Sequence, residues 1–335
     1  MAGYRVSIVG ATGAVGRCIV AVLEERGFPV RSLNLFASSR TAGTTIPYRG
    51  DEVEVRDIAL EQVRDCDICF FCATNQVSRE MAPVVRKSGA VVIDKSSVFR
   101  LDPEVPLVVP EVNPGAVDGH KGIIASPNCS TIQLVVAVKP IYDLSRIRRI
   151  WAATYQSVSG TGHEAIDELR EQTATVLSNG VPVPRVYPRR IAFNIIPHID
   201  SFAPSGYTGE EMKLISETKK ILNDEGIRIT ATAARVPVFY CHSEAVTVET
   251  EEKLSVSVVV EALRRMPGVV VSDEANGYHT PVECAGRDDI YVSRVREDIG
   301  VDNGISMWIV GDNLRKGAAT NAVQIAELLM ARGLI

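Results

Sequence analysis

The segment Pro127-Asn128-Cys129-Ser130-Thr131 contains the side chain best suited to nucleophilic chemistry. It follows the apolar run 122–125 and opens a helical pattern that we expect to stop at Pro140. At the N-terminus of a helix, unpaired N–H groups and the macrodipole favour a negative charge, and therefore the reactive thiolate form of cysteine. The sequence thus predicts a cysteine nucleophile. The acyl group that it captures needs an acceptor, and the start of the chain suggests a hydride donor.

A glycine-rich turn follows the first strand-like run, 4–9. Its residues are Gly10-Ala11-Thr12-Gly13-Ala14-Val15-Gly16, and a helical pattern comes next. Gly10 allows a tight turn, Gly13 lets the backbone approach a pyrophosphate, and Gly16 permits close packing of helix on strand. The spacing is GxxGxxG instead of GxGxxG, so a turn without a ligand is the alternative. Its place after the first strand favours a dinucleotide site.

The polar residues after the second strand, 32–37, indicate which dinucleotide is bound. An NAD site usually offers an Asp or Glu to the ribose 2′-hydroxyl at this point. The chain has Ser38-Ser39-Arg40-Thr41 instead. Because hydroxyls and a guanidinium suit a 2′-phosphate, we expect NADP in preference to NAD. The alternative for Arg40 is a solvated loop charge.

Two later strand ends also carry polar residues. Strands are expected over 66–73 and 90–94, with a helix over 78–87 between them, and this alternation predicts a doubly wound parallel sheet. Thr74 lies where the first of these strands would meet the cofactor. Arg100 follows the carboxyl end of the second, so it is a candidate for binding an anionic substrate group. The alternative is an exposed loop arginine.

The seven cysteines are odd in number and irregularly spaced, which is not the pattern of a disulfide framework. Cys66, Cys69 and Cys72 form a CxxCxxC string that resembles part of an iron–sulfur ligand set. A buried parallel strand, in which cysteine acts as a small apolar residue, explains the same string. A fourth cysteine at suitable spacing is also missing, so we expect no metal site.

Length and charge narrow the class of protein. A chain of 335 residues favours two domains. The net charge of -5 gives no basic surface for nucleic acid, and no apolar run approaches the roughly 20 residues that span a bilayer. The N-terminus has no charged and then apolar leader. We therefore expect a cytoplasmic enzyme without nucleic-acid or membrane partners.

The second half of the chain changes from alternating elements to strands in succession, which predicts a mixed or antiparallel sheet. Thr208-Gly209-Glu210-Glu211 resembles a capping box, so Glu210 and Lys213 become neighbours on one helix face and, in the simplest interpretation, a surface ion pair. The last helix, 315–332, is amphipathic and is expected to return to the first domain. The other expected elements are a helix over 163–178 and strands over 149–156, 227–234, 236–240, 244–250, 256–260 (with a helix as the alternative), 289–295 and 305–310.

A cysteine nucleophile needs an acid/base group, and the chain has five histidines. His242 is the best candidate because a strand pattern and Arg235 lie close by in the sequence, although a lone histidine is often only packed or exposed. Arg235 and His242 would point to opposite faces of an unbroken strand. Pro237 makes an unbroken strand less favourable, which leaves convergence of the two side chains open.

At this point the chain resembles the aspartate-semialdehyde dehydrogenase family over nearly its whole length. The motifs that match in order are Gly10–Gly16, Ser96-Ser97-Val98-Phe99-Arg100, Pro127–Thr131, Tyr155-Gln156-Ser157-Val158-Ser159-Gly160, and Arg235-Val236-Pro237 with Cys241-His242-Ser243. The short middle region is more similar to the Gram-positive-type bacterial branch than to the enterobacterial one. Thr161 stands where many members have alanine, a departure expected to matter little.

The resemblance implies an α/β fold with an N-terminal doubly wound Rossmann domain (1–129), an α+β catalytic and dimerisation domain (130–312), and a C-terminal helix (313–335) on the first domain. It implies a homodimer that reduces L-4-aspartyl phosphate to aspartate semialdehyde and phosphate with NADPH. Cys129 would be the acyl-thioester nucleophile, His242 the acid/base, Gln156 the group that orients the acyl, and Arg235 the carboxylate ligand. The phosphate-site residues would be Arg100 and Lys213, with Glu210 in the same polar set. The cofactor contacts would be Thr12, Gly13, Ala14, Val15, Arg40, Thr41, Ser159, Gly160 and Asn313, together with Gly10, Gly16, Ser38 and Thr74 from the residue patterns above.

Two other readings stay open from the sequence. N-acetyl-glutamyl-phosphate reductase shares the acyl-phosphate chemistry, but its cysteine resembles a Gly-Cys-Tyr-Pro context that differs from Asn128-Cys129-Ser130-Thr131. A catalytically silent NADP-binding paralogue would usually lack the nucleophile or its acid/base partner, and both residue types are present here.

Overall fold

The computed structural model describes residues 3–58, 60–272 and 277–335. The chain forms two compact units, residues 1–128 with 318–335 and residues 129–317. Within the described residues, no helix is long and apolar enough to cross a bilayer.

The first unit is built on a seven-stranded sheet with strand order β3-β4-β2-β1-β5-β6-β7. All neighbouring pairs are parallel except β3 and β4. The elements in chain order are β1 Tyr4–Val9, α1 Ala14–Glu25, β2 Val30–Ala37, β3 Thr45–Tyr48, β4 Asp51–Asp57, α2 Leu60–Val63, β5 Ile68–Phe71, α3 Asn75–Lys87, β6 Val91–Asp94 and β7 Ile123–Ala125. This is the expected doubly wound architecture.

Burial on both faces explains the apolar runs of the central strands. Every residue of β5 and β6 is buried, including Cys69. The strand predicted over 66–73 is therefore present but shorter, since Cys66 precedes β5 and Cys72 follows it. None of the seven cysteines, all of them in the described part of the chain, forms a disulfide. The last helix, α9 (Thr320–Ala331), lays Ala322, Val323 and Ala326 in the same hydrophobic core as Val6 and Ile8 of β1.

The antiparallel hairpin of β3 and β4 is absent from the sequence prediction. Strand β3 is the edge strand and β4 lies next to it, and both are largely exposed, so their residues are mostly polar or charged. Pro47 also makes β3 hard to predict, because proline is uncommon within strands, although an edge strand tolerates it. Tyr48 and Ile46 are buried against the core of the unit.

The second unit carries a six-stranded mixed sheet with order β11-β12-β13-β10-β8-β9, as the run of strands predicts. Its helix α4 packs on β8, β10 and β13, and α6 packs on β9. The elements are α4 Cys129–Leu144, β8 Ile147–Gln156, α5 His163–Leu177, α6 Gly209–Leu222, β9 Arg228–Arg235, β10 His242–Thr250, α7 Val256–Arg265, β11 Val269–Val271, α8 Pro281–Cys284, β12 Ile290–Glu297 and β13 Gly304–Gly311.

Two expectations about this unit are wrong. Helix α4 does not stop at Pro140 but continues to Leu144. The helix is buried along almost its whole length, so tertiary packing compensates for the hydrogen bond that proline cannot donate. The segment 236–240 is a turn and not a strand, with the Val238 N–H bonded to the Val236 carbonyl. Residues 256–260 form the start of α7, which was the alternative, and Ser255 caps it.

Candidate active site

The glycine turn of the first unit has the shape of a phosphate cradle. Gly10 adopts φ +86°, and a Cβ there would lie 2.6 Å from the Cys72 carbonyl oxygen. A Cβ on Gly16 would lie 2.3 Å from the Gly10 oxygen, so only glycine allows α1 to approach β1 this closely. Gly13 is the N-cap of α1 and supplies no capping side chain. The first N–H groups of α1, those of Ala14 and Val15 among them, are therefore available to an anion.

The other predicted cofactor residues of this unit lie at the same edge of the sheet. Strands β2, β1 and β5 are neighbours, and they are parallel, so the turns at their carboxyl ends are adjacent. Thr12 and Thr41 share a hydrogen bond of 2.9 Å between their hydroxyls. Ser38 and Arg40 are exposed in the same loop, and Thr74 caps α3. The structure thus brings these residues of the first unit together.

Arg100 is not the exposed loop arginine that was the alternative. It is buried, and its Nη2 donates to the Lys95 carbonyl oxygen at 2.7 Å. Lys95 in turn donates to the Pro127 carbonyl oxygen at 2.9 Å. The neighbouring Asp94 accepts hydrogen bonds from Ser78 and Ser96, and burial raises its pKa. Arg100 therefore lies in an ordered polar cluster at the end of β6.

In the second unit, four strand ends place the predicted residues in one row across the sheet. Arg235 of β9 is the register partner of Gln156 of β8, which is the partner of His242 of β10. His242 is in turn the partner of Gly311 of β13. Since register partners point to the same face, three of the predicted side chains share the face that α4 covers. We call these four residues the strand-end row.

His242 is fully buried, with 0% of its surface exposed. Burial and the positive charge of Arg235 lower its pKa to about 3, so the ring is neutral. The Ser157 N–H donates to Nδ1 at 3.0 Å. Nε2 has no hydrogen-bond partner among the described residues, which leaves this nitrogen available to a ligand.

Arg235 converges with His242, as the break at Pro237 left open. A Cβ on Gly160 would lie 3.0 Å from Arg235 Nη1 and 3.3 Å from His242 Nε2, so the bare glycine faces both groups. Arg235 is 5% exposed and its Nη1 donates to the Ser157 carbonyl oxygen at 2.7 Å. Its guanidinium also lies 5.9 Å from the centre of the Tyr187 ring. Nε has no partner in the described part of the chain.

Cys129 is the first residue of α4 and is only partly buried. Its neighbour Ser130 accepts a 2.8 Å hydrogen bond from Gln156 Nε2, which ties the helix start to the strand-end row. A Cβ on Gly317 would lie 3.0 Å from the Cys129 Cβ, so this glycine also permits a close approach. Among the cysteines elsewhere in the chain, burial raises the pKa of Cys72 to about 12 and raises that of Cys241.

A polar network extends from Gln156 to helix α6. Gln156 Nε2 lies 3.2 Å from Glu210 Oε1, and Glu210 Oε2 lies 3.4 Å from Lys213 Nζ. Lys213 also donates to Asp200 at 2.7 Å, and this bond lowers the pKa of Asp200. The Glu210–Lys213 pair is therefore connected to Gln156 of the strand-end row and is not an isolated surface pair. Asp200, which no sequence pattern marks, is a residue that the prediction missed.

Of the predicted cofactor residues of the second unit, Ser159 and Asn313 are buried, whereas Gly160 is exposed. Ser159 and Asn313 share a hydrogen bond of 3.0 Å from Asn313 Nδ2 to Ser159 Oγ.

The predicted capping box also forms: Glu211 Oε2 accepts from the Thr208 N–H at 2.7 Å, and Thr208 Oγ1 accepts from the Glu211 N–H. In the described ranges, no group of three or more His, Cys, Asp or Glu side chains could hold a metal ion.

The first unit has a doubly wound sheet with a glycine cradle. The second has a mixed sheet with thiol, amide, imidazole and guanidinium groups near one row. Together these features define the class of two-unit, nucleotide-dependent dehydrogenases. Two family models match the chain: the NAD binding domain of semialdehyde dehydrogenase over residues 5–120 and its dimerisation domain over residues 138–316. The chain belongs to the semialdehyde dehydrogenase family. Its first unit is thus a nicotinamide-dinucleotide-binding domain, as predicted.

Three relatives illustrate the similarity. The aspartate-semialdehyde dehydrogenase of Aquifex aeolicus is 52% identical, and the match covers 99% of this chain and 100% of that protein. The crystal structure of aspartate semialdehyde dehydrogenase II from Vibrio cholerae, complexed with ASA, superimposes with a TM-score of 0.96 at 46% identity, over 99% of each chain. The aspartate semialdehyde dehydrogenase of Candida albicans, with NADP, gives a TM-score of 0.78 at 26% identity over 100% of each chain.

Proposed function

We propose that this chain catalyses the NADPH-dependent reductive dephosphorylation of L-4-aspartyl phosphate to L-aspartate 4-semialdehyde, a step in the biosynthesis of the aspartate family of amino acids. The observation that carries the proposal is the strand-end row, in which Arg235, Gln156 and His242 line up beside the helix that begins at Cys129. The names of the relatives support the substrate.

Cys129 is assigned as the nucleophile. Its thiolate attacks the acyl carbon, a C–S bond forms, and the bond to phosphate breaks with the electron pair leaving on phosphate. Backbone N–H groups at the start of α4 are suited to stabilise the oxyanion, a contribution of about 3–4 kcal/mol per donor. The resulting thioester is a better hydride acceptor than a carboxylate. Collapse of the reduced adduct returns the Cys129 thiolate and releases the aldehyde.

The other residues of the row hold the substrate. Arg235 is assigned to the α-carboxylate, which its guanidinium can bind as a two-pronged fork. Gln156 orients the acyl group, and His242 serves as the acid/base group through Nε2. Lys213, with Glu210 beside it, is assigned to the phosphate in the second unit, and Arg100 is a phosphate ligand in the first.

NADP is the proposed cofactor. When bound, it supplies as NADPH the hydride that reduces the thioester. The residues present fit a dinucleotide, because Gly10 and Gly16 form a cradle that a Cβ would fill. The exposed Ser38 and Arg40 are suited to the 2′-phosphate that distinguishes NADP from NAD, and the Candida albicans relative with NADP supports this preference. Ser159, Gly160 and Asn313 are assigned as further contacts.

We infer that the active form is a homodimer, because residues 138–316 match the dimerisation domain of the family. The sheet of the second unit offers a surface for it. On the face opposite the strand-end row, a cavity of about 290 Å³ is lined by Trp151, Thr230, Thr247 and other side chains of the central strands.

The substrate assignment is tested with purified protein in the reverse direction. We expect oxidation of aspartate semialdehyde with reduction of NADP⁺, measured as absorbance of NADPH, only when phosphate is present. NAD⁺ in place of NADP⁺ measures the cofactor preference. Turnover of N-acetyl-glutamate semialdehyde without turnover of aspartate semialdehyde would transfer the assignment to the reductase of that substrate. Binding of NADP without either activity would indicate a silent paralogue.

The nucleophile is tested by Cys129→Ser. We expect turnover to vanish while the affinity for NADP, measured by fluorescence titration, stays close to that of the wild type, because a hydroxyl replaces the thiol without altering the first unit. Cys18→Ser, a change on α1 of the other unit, is the matched control and should retain activity. Near-normal turnover by Cys129→Ser would refute the thioester route.

A further inference from the structure

The irregular segment 185–196 is held on helix α5 by two buried side chains. Glu168 Oε2 accepts hydrogen bonds from two backbone N–H groups at the start of the segment. Gln172 Oε1 accepts two more, at 2.9 and 3.2 Å, further along it. Glu168 is 1% exposed and Gln172 is 3% exposed. Because buried polar groups are costly to leave unpaired, these bonds give the segment a defined path without helix or strand.

This segment holds Arg235 by its main chain and by its side chain. The Arg235 N–H donates to the Ile196 carbonyl oxygen at 2.8 Å, and the Ile196 N–H donates to the Arg235 carbonyl oxygen at 3.0 Å. The Arg235 guanidinium lies over the Tyr187 ring, 5.9 Å from its centre, which is the range of a cation–π contact. Burial raises the pKa of the Tyr187 phenol, so the ring is neutral and attracts the guanidinium through its face.

These contacts leave one edge of the Arg235 guanidinium for a ligand. Nη1 donates to the Ser157 carbonyl oxygen at 2.7 Å. A carboxylate that binds side-on uses Nε and Nη2 instead, as Asp224 does on Arg146 at 2.7 and 2.9 Å. In Arg235, Nε is buried and has no partner in the described part of the chain. Since a buried donor without an acceptor is unfavourable, this edge is suited to a carboxylate.

The Tyr187 ring is itself held by a hydrogen bond. Its hydroxyl donates to Thr161 Oγ1 at 3.0 Å. Thr161 ends the short turn Val158–Thr161, which directly follows Ser157, the residue whose carbonyl oxygen holds Nη1 of Arg235. Thr161 stands where many family members have alanine, and alanine has no hydroxyl to accept this bond. The side chain at position 161 therefore affects how the ring is presented to Arg235.

We propose that Tyr187 is a positioning residue for Arg235, and that Thr161 sets the orientation of the Tyr187 ring, so that the Nε–Nη2 edge of the guanidinium faces the substrate carboxylate. This inference rests on the proposed function, which assigns Arg235 to that carboxylate. Tyr187 acts through Arg235 and not on the reacting atoms. It therefore affects how tightly the substrate binds more than it affects the steps at the Cys129 sulfur.

The ring contact is tested by Tyr187→Leu, which keeps an apolar side chain but removes the ring and its hydroxyl. We expect the KM for aspartate semialdehyde to rise about 10- to 30-fold, the effect of losing a desolvated cation–π contact, with a smaller change in kcat. Phe193→Leu is the matched control, because Phe193 is an exposed aromatic residue of the same segment, and its KM should equal that of the wild type. An unchanged KM in Tyr187→Leu, or a fall in kcat alone, would overturn the proposal.

The hydroxyl contact is tested by Thr161→Ala and Tyr187→Phe. Each keeps the ring but removes the bond, so we expect the KM to rise about 2- to 5-fold in either variant. The double variant should rise no further, because both changes remove the same bond. Thr161→Ser keeps the oxygen and should match the wild type. Effects that multiply in the double variant would refute the role of Thr161. If Tyr187→Leu does not fold, a wild-type KM in both single variants would refute the proposal.

The setting of the guanidinium is measured without substrate, by NMR on free enzyme labelled with ¹⁵N-arginine. The Arg235 Nε–H signal is assigned by its loss in Arg235→Lys. Because the Tyr187 ring shifts this signal, we expect it to move in Tyr187→Leu and to stay in place in Phe193→Leu. A signal that does not move in Tyr187→Leu would contradict the ring contact. Failure of the wild-type enzyme to turn over aspartate semialdehyde would refute the substrate assignment, while the NMR result stands.

Discussion

Strand β10 carries two buried ionisable side chains on one face, His242 at its end and Glu244 two residues further along. Both are 0% exposed. His242 is the register partner of Gln156, and Glu244 is the partner of Thr154, one step deeper in the same pair of strands. Because residues two apart on a strand point to the same face, the two groups differ in depth and not in side.

The two positions differ in whether their polar atoms have hydrogen-bond partners. At the strand end, the buried His242 ring accepts a hydrogen bond at Nδ1 from the Ser157 N–H. The protonation state and the orientation of His242 are therefore both defined. One step deeper, neither Glu244 oxygen has a partner in the described part of the chain, and burial raises the pKa of the carboxyl well above its usual range. Burial keeps both groups neutral, but only His242 is held in one orientation by a hydrogen bond. We call Glu244 and its partner Thr154 the deeper row. We infer that the strand-end row carries out the chemistry, whereas the deeper row affects stability.

Within this comparison, the largest expected effect is at the strand-end row, in Arg235→Lys. One ammonium cannot reproduce the guanidinium fork, and hydrogen bonds to charged groups contribute about 1.5–3 kcal/mol each. We therefore expect the KM for aspartate semialdehyde to rise about 10- to 100-fold, with a smaller change in the free energy of unfolding. Steady-state kinetics and urea denaturation measure the two quantities.

The control for this change is Arg228→Lys, at the exposed first position of the same strand. Its kinetics and stability should match the wild type. An unaltered KM in Arg235→Lys would argue against carboxylate recognition by Arg235 and would remove one side of the comparison between the rows.

The next effect concerns the deeper row, in Glu244→Gln. The pKa of Glu244 is raised on folding, so this carboxyl favours the folded state most at acid pH, and that contribution is lost as pH rises above the usual value of about 4.5. Glutamine has the shape of the neutral acid and does not titrate. We expect the variant to become more stable than the wild type from about pH 5 upward, by about 1.4 kcal/mol per pH unit until the folded pKa is reached.

Urea denaturation at several pH values measures this difference, and kcat and KM should stay close to the wild type. Glu249→Gln on the same strand is the matched control, since Glu249 is partly exposed and pairs with Arg149 at 3.2 Å. Equal pH dependence in Glu244→Gln and the wild type would show that Glu244 is ionised in the folded protein. Loss of turnover in Glu244→Gln would place the deeper row in the chemistry.

Local patterns in the sequence predict much of this architecture. The glycine spacing before α1, the capping box at Thr208 and the alternation of the first unit each depend on short stretches of chain, and all three form. The motif that contains Cys129 also predicts its position at the start of α4.

What sequence could not predict depends on long-range register. The alignment of Arg235, Gln156 and His242 joins β8 to β9 and β10, which come much later in the chain, and residues 236–240 had first to be a turn. The contact of Asp200 with Lys213 comes from a loop with φ +70° at Asp200, which carries no repeating pattern. Helix α4 continues beyond Pro140 because it packs on the sheet, and a prediction from the local sequence does not include such packing.

The smallest expected effect is in Thr208→Ala, which tests how far the strand-end row depends on the start of α6. Thr208 caps this helix, and the loss of such a cap costs about 1 kcal/mol, or roughly 2–4 °C in Tm for a unit of this size. Activity should be retained, because Glu210 is also held by Gln156 at 3.2 Å and by Lys213 at 3.4 Å. Thermal denaturation and kcat measure the two effects. Thr208→Ser keeps the oxygen, so its Tm should lie near that of the wild type. If serine lost as much stability as alanine, the methyl group and not the cap would be what Thr208 contributes. If alanine lowered kcat while serine did not, the cap itself would position Glu210 for the reaction.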